Sequence, residues 1–256
     1  VKPPLRAIAF DCYGTLVDFG DHGFQRAYDE VCRLQGLPCD GAALWDKWMD
    51  IWRRLARQPG GGESPPNGPM LVVEGRPLKG PPPSFHPYRV EWPAHFAQAF
   101  SELGLKGDAE AAYEHVRSRL AEAEAFPEAH AVVEGLRARY RVALLSNADD
   151  DFLLPCLERN GIAFETVVSS ESARVYKPHE AIFHGLAAEL GLEPAEIIYV
   201  GDSHFADVLG AKHAGLRVAW LNREGRTLPE GVPQPDLELR SLAELADLLS
   251  QGGKEA

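Results

Sequence analysis

The chain is poor in sulfur and in positive charge. Four cysteines and two methionines occur in 256 residues. None of Cys12, Cys32, Cys39 and Cys156 forms a C-x-x-C pair, so zinc-ribbon and thioredoxin-like sites have no support. Lysine and arginine total 26 against 38 aspartates and glutamates, a net charge of -12. That balance excludes a broad electrostatic footprint for nucleic acid or an anionic membrane. It does not exclude a small anion, which a local cation or a metal can hold against the mean field. No apolar run is long enough to cross a bilayer. Val1-Lys2-Pro3-Pro4 leads straight into an apolar run without a secretory pattern, and a reduced, cytoplasmic protein is expected. At 45% hydrophobic and 25% charged residues, the composition is that of a globular chain able to bury a sizeable core.

That first apolar run organises the chain. Ala7-Ile8-Ala9-Phe10 ends at Asp11, and Cys12-Tyr13-Gly14-Thr15-Leu16 turns at once. A short apolar run bounded by a turn reads as a buried strand of a parallel sheet. Ligands of open α/β sheets bind beyond the carboxyl ends of such strands. Asp11 therefore stands at the mouth of a site, and Gly14 lets the backbone come close to a ligand. Cys12 has no evident base and reads as a small residue facing the sheet.

After Asp18 the pattern turns helical. Phe24, Tyr28, Val31, Cys32 and Leu34 recur at helical spacing, as do Leu44, Trp48, Ile51, Trp52 and Leu55. Trp45, Trp48 and Trp52 offer a core for this region or, less simply, a partner surface. From Pro59 to Pro93 stand ten of the chain's 20 prolines, with Gly60-Gly61-Gly62 between them. That stretch reads as a long connection, with a short hairpin near Met70-Leu71-Val72-Val73. Helical pattern resumes at Trp92–Leu103 and Ala109–Ala123, so residues 18–124 are expected to form an all-helical insert. Past Pro127 strands and helices alternate: strands at Arg141–Leu145, Thr166–Val168, Ile197–Val200 and Arg217–Leu221, the last of these expected to be the final strand. The expected fold is α/β, a doubly wound parallel Rossmann-like sheet from 1–17 and 125–256.

Four strand ends or loops carry polar groups: Asp11, Ser146-Asn147, Lys177, and Asp202 with Asp207. Each alone has an ordinary structural use, such as a helix cap or a surface charge. Together they suit a phosphate monoester. A carboxylate can attack phosphorus. Two carboxylates can bring Mg2+. Ser146 can bond a phosphoryl oxygen, and Lys177 can neutralise the group in flight.

Asp11-x-Tyr13-Gly14-Thr15-Leu16, Ser146-Asn147, Lys177-Pro178 and Gly201-Asp202-x-x-x-x-Asp207 resemble the four motifs of the haloacid dehalogenase-like (HAD) hydrolases. The resemblance implies a Rossmann-like core with a helical cap inserted after the first motif. It also implies Asp11 as nucleophile, with Tyr13, Thr15, Ser146, Asn147 and Lys177 around it. Phosphatases of the superfamily carry a second Asp, the general acid, where this chain has Tyr13. The 2-haloacid dehalogenases carry Tyr there and need no metal, but have Ser and Asn where this chain has Asp202 and His204, and Tyr where it has Phe183. Asp202 is the metal-binding choice. The resemblance then implies Mg2+ on Asp11, the backbone carbonyl of Tyr13, Asp202 and Asp207. Loss of the acid costs about 10²–10⁴ in rate, so weak activity on unactivated esters is expected.

The leading expectation is a Mg2+-dependent phosphatase for a small phosphorylated metabolite. The first alternative is a metal-independent 2-haloacid dehalogenase, with Arg26, Arg53 or Arg57 taking the substrate anion. The second is a degenerate member that binds a ligand or partner without turnover. A phosphonate-cleaving reading needs a lysine over the site, for which only Lys47 is available.

Overall fold

A computed structural model describes residues 3–56, 78–82 and 84–251. Most of the proline-rich connection, the hairpin expected near Met70 and the side chains of Arg53 and Arg57 lie outside the described residues.

Six parallel strands form one sheet in the order β3-β2-β1-β4-β5-β6. They are β1 (Ala7–Phe10), β2 (Arg141–Ser146), β3 (Thr166–Ser169), β4 (Ile197–Gly201), β5 (Arg217–Leu221) and β6 (Leu237–Leu239). β1, β4 and all of β2 but Arg141 are buried, as the apolar runs require of strands covered on both faces. Side chains alternate between two cores. Ile8, Phe10, Leu144, Ile198 and Val200 enter one, and Ala7, Ala9, Leu145, Ile197 and Tyr199 the other. The second core is closed by α8 (Glu180–Leu190) and by a wide turn at His204–Leu209 that runs into α9 (Gly210–His213). The first is closed by α5 (Ala129–Arg137), α6 (Asp150–Arg159) and α10 (Leu242–Gln251). A single turn, α7 (Ser170–Ala173), follows β3. Strand order reverses at β1 and β4, which pair Phe10 with Val200, so a crevice opens beyond their carboxyl ends.

Between β1 and α5 lie α1 (Asp21–Leu34), α2 (Gly41–Ala56), α3 (Tyr88–Glu102) and α4 (Ala109–Ala121). Trp45, Trp48 and Trp52 are buried among them, so the tryptophans are core and not a partner surface. The connections into and out of this helical group run side by side: Asp18 N–H donates to Glu124 O (2.8 Å) and Phe126 N–H to Leu16 O (2.9 Å).

Two expectations need correction. The irregular stretch does not reach Pro93, because α3 begins at Tyr88 and holds Pro93 inside it. Proline removes one helical hydrogen bond, but Trp92, Pro93 and Phe96 are buried, and that packing outweighs the loss. Nor is β5 the last strand: β6 pairs with it, matching Ala219 to Leu237. Among the described residues, no helix is long and apolar enough to cross a membrane.

Candidate active site

Asp11 follows β1 directly, and its N–H donates to Val200 O (2.9 Å), which fixes the turn against β4. Its carboxylate is held on one side only. Oδ1 accepts from Ser146 Oγ and from Lys177 Nζ, both at 2.8 Å, and Oδ2 takes part in neither bond. A carboxylate anchored through one oxygen presents the other for attack.

Lys177 is 2% exposed. Its ammonium donates to Asp11 Oδ1, to Asp207 Oδ1 (2.7 Å) and to the Tyr199 hydroxyl (2.9 Å), which uses all three N–H bonds. Burial disfavours the charge, but Asp11 and Asp207 outweigh it and hold the lysine above its ordinary pKa. Asn147 grips the Lys177 backbone at two points, accepting from its N–H (2.8 Å) and donating to its carbonyl (3.1 Å). Asn147 thus sets the height of Lys177 in the crevice.

Asp207 arrives by the wide turn after β4. Asp207 and Val208 both donate their N–H to Ser203 O (3.1 and 3.0 Å), a widened turn that carries Asp207 back beneath Lys177. Its Oδ2 accepts from Ser203 N–H (2.9 Å), so both oxygens are engaged. Burial pushes this carboxyl up to about 6, against the pull of Lys177. Asp202 is less tied. Thr15 Oγ1 donates to Oδ1 at 3.4 Å, and Arg226 approaches Oδ2 at 3.8 Å. Burial, then Asp207 and Asp11, push Asp202 up to about 8. Glycine is required at two places around these groups. Gly14 has φ +84°, and a Cβ there would lie 2.7 Å from Asp202 Oδ2. A Cβ at Gly201 would overlap the Asp207 carboxylate.

One oxygen each of Asp11, Asp202 and Asp207 lies within 4.8 Å of the other two. Three carboxylates offset by Lys177 and a distant Arg226 leave excess negative charge. Hard oxygen donors in that arrangement fit Mg2+. The open oxygens are Asp11 Oδ2 and the Asp202 carboxylate, while Asp207 is committed to Lys177 and Ser203.

Tyr13 lines the same cavity, but its hydroxyl lies 3.3 Å from Leu120 O and 3.4 Å from Phe152 O. Burial holds it well above the ordinary tyrosine pKa, so it is a poor proton donor. Arg26 opens on a different cleft, with Arg119 and Arg159. Lys47 sits 3.4 Å from Glu102 at the surface, which removes the lysine that a phosphonate-cleaving site needs. The sequence reading missed Tyr199. Its hydroxyl accepts from Lys177 and donates to Leu145 O (2.7 Å), and Phe183 packs edge-on against its ring. The one available signal was a tyrosine inside the aliphatic run Ile197-Ile198-Tyr199-Val200.

Comparison with known proteins agrees with this geometry. A profile described as haloacid dehalogenase-like hydrolase matches residues 5–215. The phosphoglycolate phosphatase of Yersinia pseudotuberculosis is 30% identical over 248 residues, covering 94% of this chain and 91% of that protein. The (S)-2-haloacid dehalogenase 4A of Burkholderia cepacia is 28% identical over 264 residues, covering 98% of each. Among solved structures, the L-2-haloacid dehalogenase RSc1362 superposes with a TM-score of 0.74 at 22% identity, covering 97% of this chain and all of that one. The magnesium-bound HAD-hydrolase YfnB of Bacillus subtilis gives 0.72 at 20% identity, covering 96% and 99%. With a whole-length relative, a family profile and a carboxylate crevice at the strand switch all in agreement, the chain belongs to the haloacid dehalogenase-like hydrolases.

Proposed function

We propose that this hydrolase is a Mg2+-dependent phosphatase of a small phosphorylated metabolite, working through an aspartyl-phosphate on Asp11. The observation that carries the reading is Asp202, which brings a third carboxylate within 4.8 Å of Asp11 and Asp207, a set of hard oxygen donors that fits a divalent cation. Asp11, Asp202 and the Tyr13 carbonyl would hold the ion, with Asp207 behind them. When bound, Mg2+ would offset the repulsion between the carboxylate and the phosphoryl oxygens.

Asp11 Oδ2 attacks phosphorus while Ser146 and Lys177 hold Oδ1. The bond from phosphorus to the leaving oxygen breaks, and that oxygen departs with the electron pair. Water then attacks phosphorus, and the bond to Asp11 breaks to restore the carboxylate. The Tyr13 hydroxyl is spent on carbonyls and does not stand ready to protonate the leaving group. Activated esters should therefore turn over best. Helices α1–α4 act as the cap over this chemistry.

A second reading has a specific observation behind it. Tyr13 in place of an acid favours a 2-haloacid dehalogenase, in which Asp11 displaces halide at carbon. The two are separated by phosphate release from an aryl phosphate and halide release from 2-chloropropionate, each with Mg2+ and with a chelator. The phosphatase reading expects Mg2+-dependent phosphate release, lost in Asp11→Asn and in Asp202→Ala. Halide release that survives the chelator would overturn it. Absence of turnover on either substrate, with ligand binding kept in Asp11→Asn, would instead identify a degenerate, non-catalytic member.

A further inference from the structure

Six aromatic rings close a collar over Asp11. Tyr13 meets Phe19 with ring centres 6.3 Å apart, Phe19 meets Phe24 at 5.0 Å, and Phe24 meets Trp92 at 6.1 Å. Trp92 meets Tyr88 at 4.5 Å, Tyr88 meets Phe152 at 6.3 Å, and Phe152 returns to Tyr13 at 5.9 Å. All six line the cavity that holds Asp11 and Lys177. They come from four places in the chain: the turn after β1 and the segment beyond it, α1, α3, and α6. The cavity has a volume of about 100 Å³ and opens to solvent at its mouth, so the rings face whatever group a substrate carries beyond the reacting centre.

The charges around the collar are already assigned. Lys177 is the one cation among the described residues that lines the cavity, and its three N–H bonds go to Asp11, Asp207 and Tyr199. Arg89, next to Tyr88 on α3, is turned to Glu171 at 2.5 Å. Arg226 and Arg223 line an adjoining cleft that shares Gly20 and Asp202 with this cavity, and neither arginine lines the cavity itself. A second anionic group on a substrate would be taken out of water against ring faces, with no partner among these residues. An unpaired buried carboxylate is costly, whereas a ring or alkyl group gains contact area and favourable ring geometry there.

We propose that this collar selects phosphate monoesters whose organic part is an uncharged aromatic or apolar group, and disfavours those carrying a second anion. This rests on the phosphatase reading above and divides this chain from the relatives named for phosphoglycolate and 2-haloacids, whose substrates each bear a carboxylate.

The test uses two inert probes that differ only in the group on the methylene: benzylphosphonate and phosphonoacetate. Each is titrated calorimetrically into the wild-type protein with Mg2+. In parallel, turnover of benzyl phosphate is compared with that of phosphoglycolate. The proposal expects benzylphosphonate to bind at least about tenfold more tightly, and kcat/KM to favour benzyl phosphate by a similar factor. Phe24→Leu, which keeps an apolar wall but removes a ring, is expected to weaken benzylphosphonate several-fold and leave phosphonoacetate unmoved. Equal binding, or preference for phosphonoacetate, overturns the proposal. Preferred turnover of phosphoglycolate overturns it too, while leaving the phosphatase reading in place. Binding and turnover of neither phosphorus compound overturn both.

Discussion

Lys177 depends on partners that none of the four motifs names together. Asp11 and Asp207 fix its charge, Asn147 fixes its backbone, and Tyr199 takes its third N–H. Tyr199 lies on β4, whose burial keeps its hydroxyl from water. Tyr199→Phe keeps the ring against Phe183 but leaves Leu145 O and one lysine N–H unsatisfied. We expect stability to fall by about 1–3 kcal/mol and kcat by a few-fold to tenfold, with KM little changed. Urea unfolding and steady-state kinetics check this; a KM effect without a kcat effect would mean that Tyr199 does not act through Lys177. Thr15→Val should weaken metal binding more than folding, since its hydroxyl faces Asp202 and its backbone is held separately by Arg223.

Helix α3 carries two rings of the collar, and its start is built by another part of the chain. Pro87 precedes it and offers no side-chain cap. Asp149, in the loop after Ser146-Asn147, supplies the cap instead: Tyr88 N–H and Arg89 N–H donate to its two oxygens at 3.1 and 3.0 Å. The collar is thereby tied to the loop that anchors Asp11. Asp149→Ala leaves both N–H groups unmet, and we expect a loss of about 1–2 kcal/mol, read by urea unfolding. Burial raises the Asp149 carboxyl to about 6, despite those hydrogen bonds. Its folded pKa lies above the value of 3.8 of a free Asp, so the folded chain binds this proton more readily than the unfolded chain. The group therefore favours folding below about pH 4, and that contribution is lost as pH rises through about 6. A carboxyl resonance titrating near 6 in the wild type and missing from Asp149→Asn is the expected signature; titration near 4 would contradict it.

Seen across the chain, the sheet and the crevice were legible because their signals are dense. Buried parallel strands read as apolar runs, and Asp11, Ser146 and Asp202 each end or follow one, while Lys177 stands in the loop before α8. The helical group was legible from its 3.6-residue spacing, and burial of Trp45, Trp48 and Trp52 follows from it. Three-residue β6 was not, because Leu237-Glu238-Leu239 is too short for any period and stands just after Pro233 and Pro235. The start of α3 was hidden by prolines whose local cost is met by tertiary packing. Tyr199 and the collar were illegible for a different reason: their meaning is set by partners far away in sequence, as Phe152 is from Tyr13.

An aspartyl-phosphate on Asp11 is what divides a phosphatase from a dehalogenase most directly. Wild-type protein mixed with an activated aryl phosphate and Mg2+, quenched in acid and digested, can be read by peptide mass spectrometry. One phosphoryl group is expected on the peptide bearing Asp11, absent with chelator, absent in Asp11→Asn and strongly reduced in Asp202→Ala. An alkyl ester on Asp11 formed from 2-chloropropionate in chelator, with no phosphoryl adduct under any condition, would contradict it and make Tyr13 the truer guide to the chemistry than Asp202.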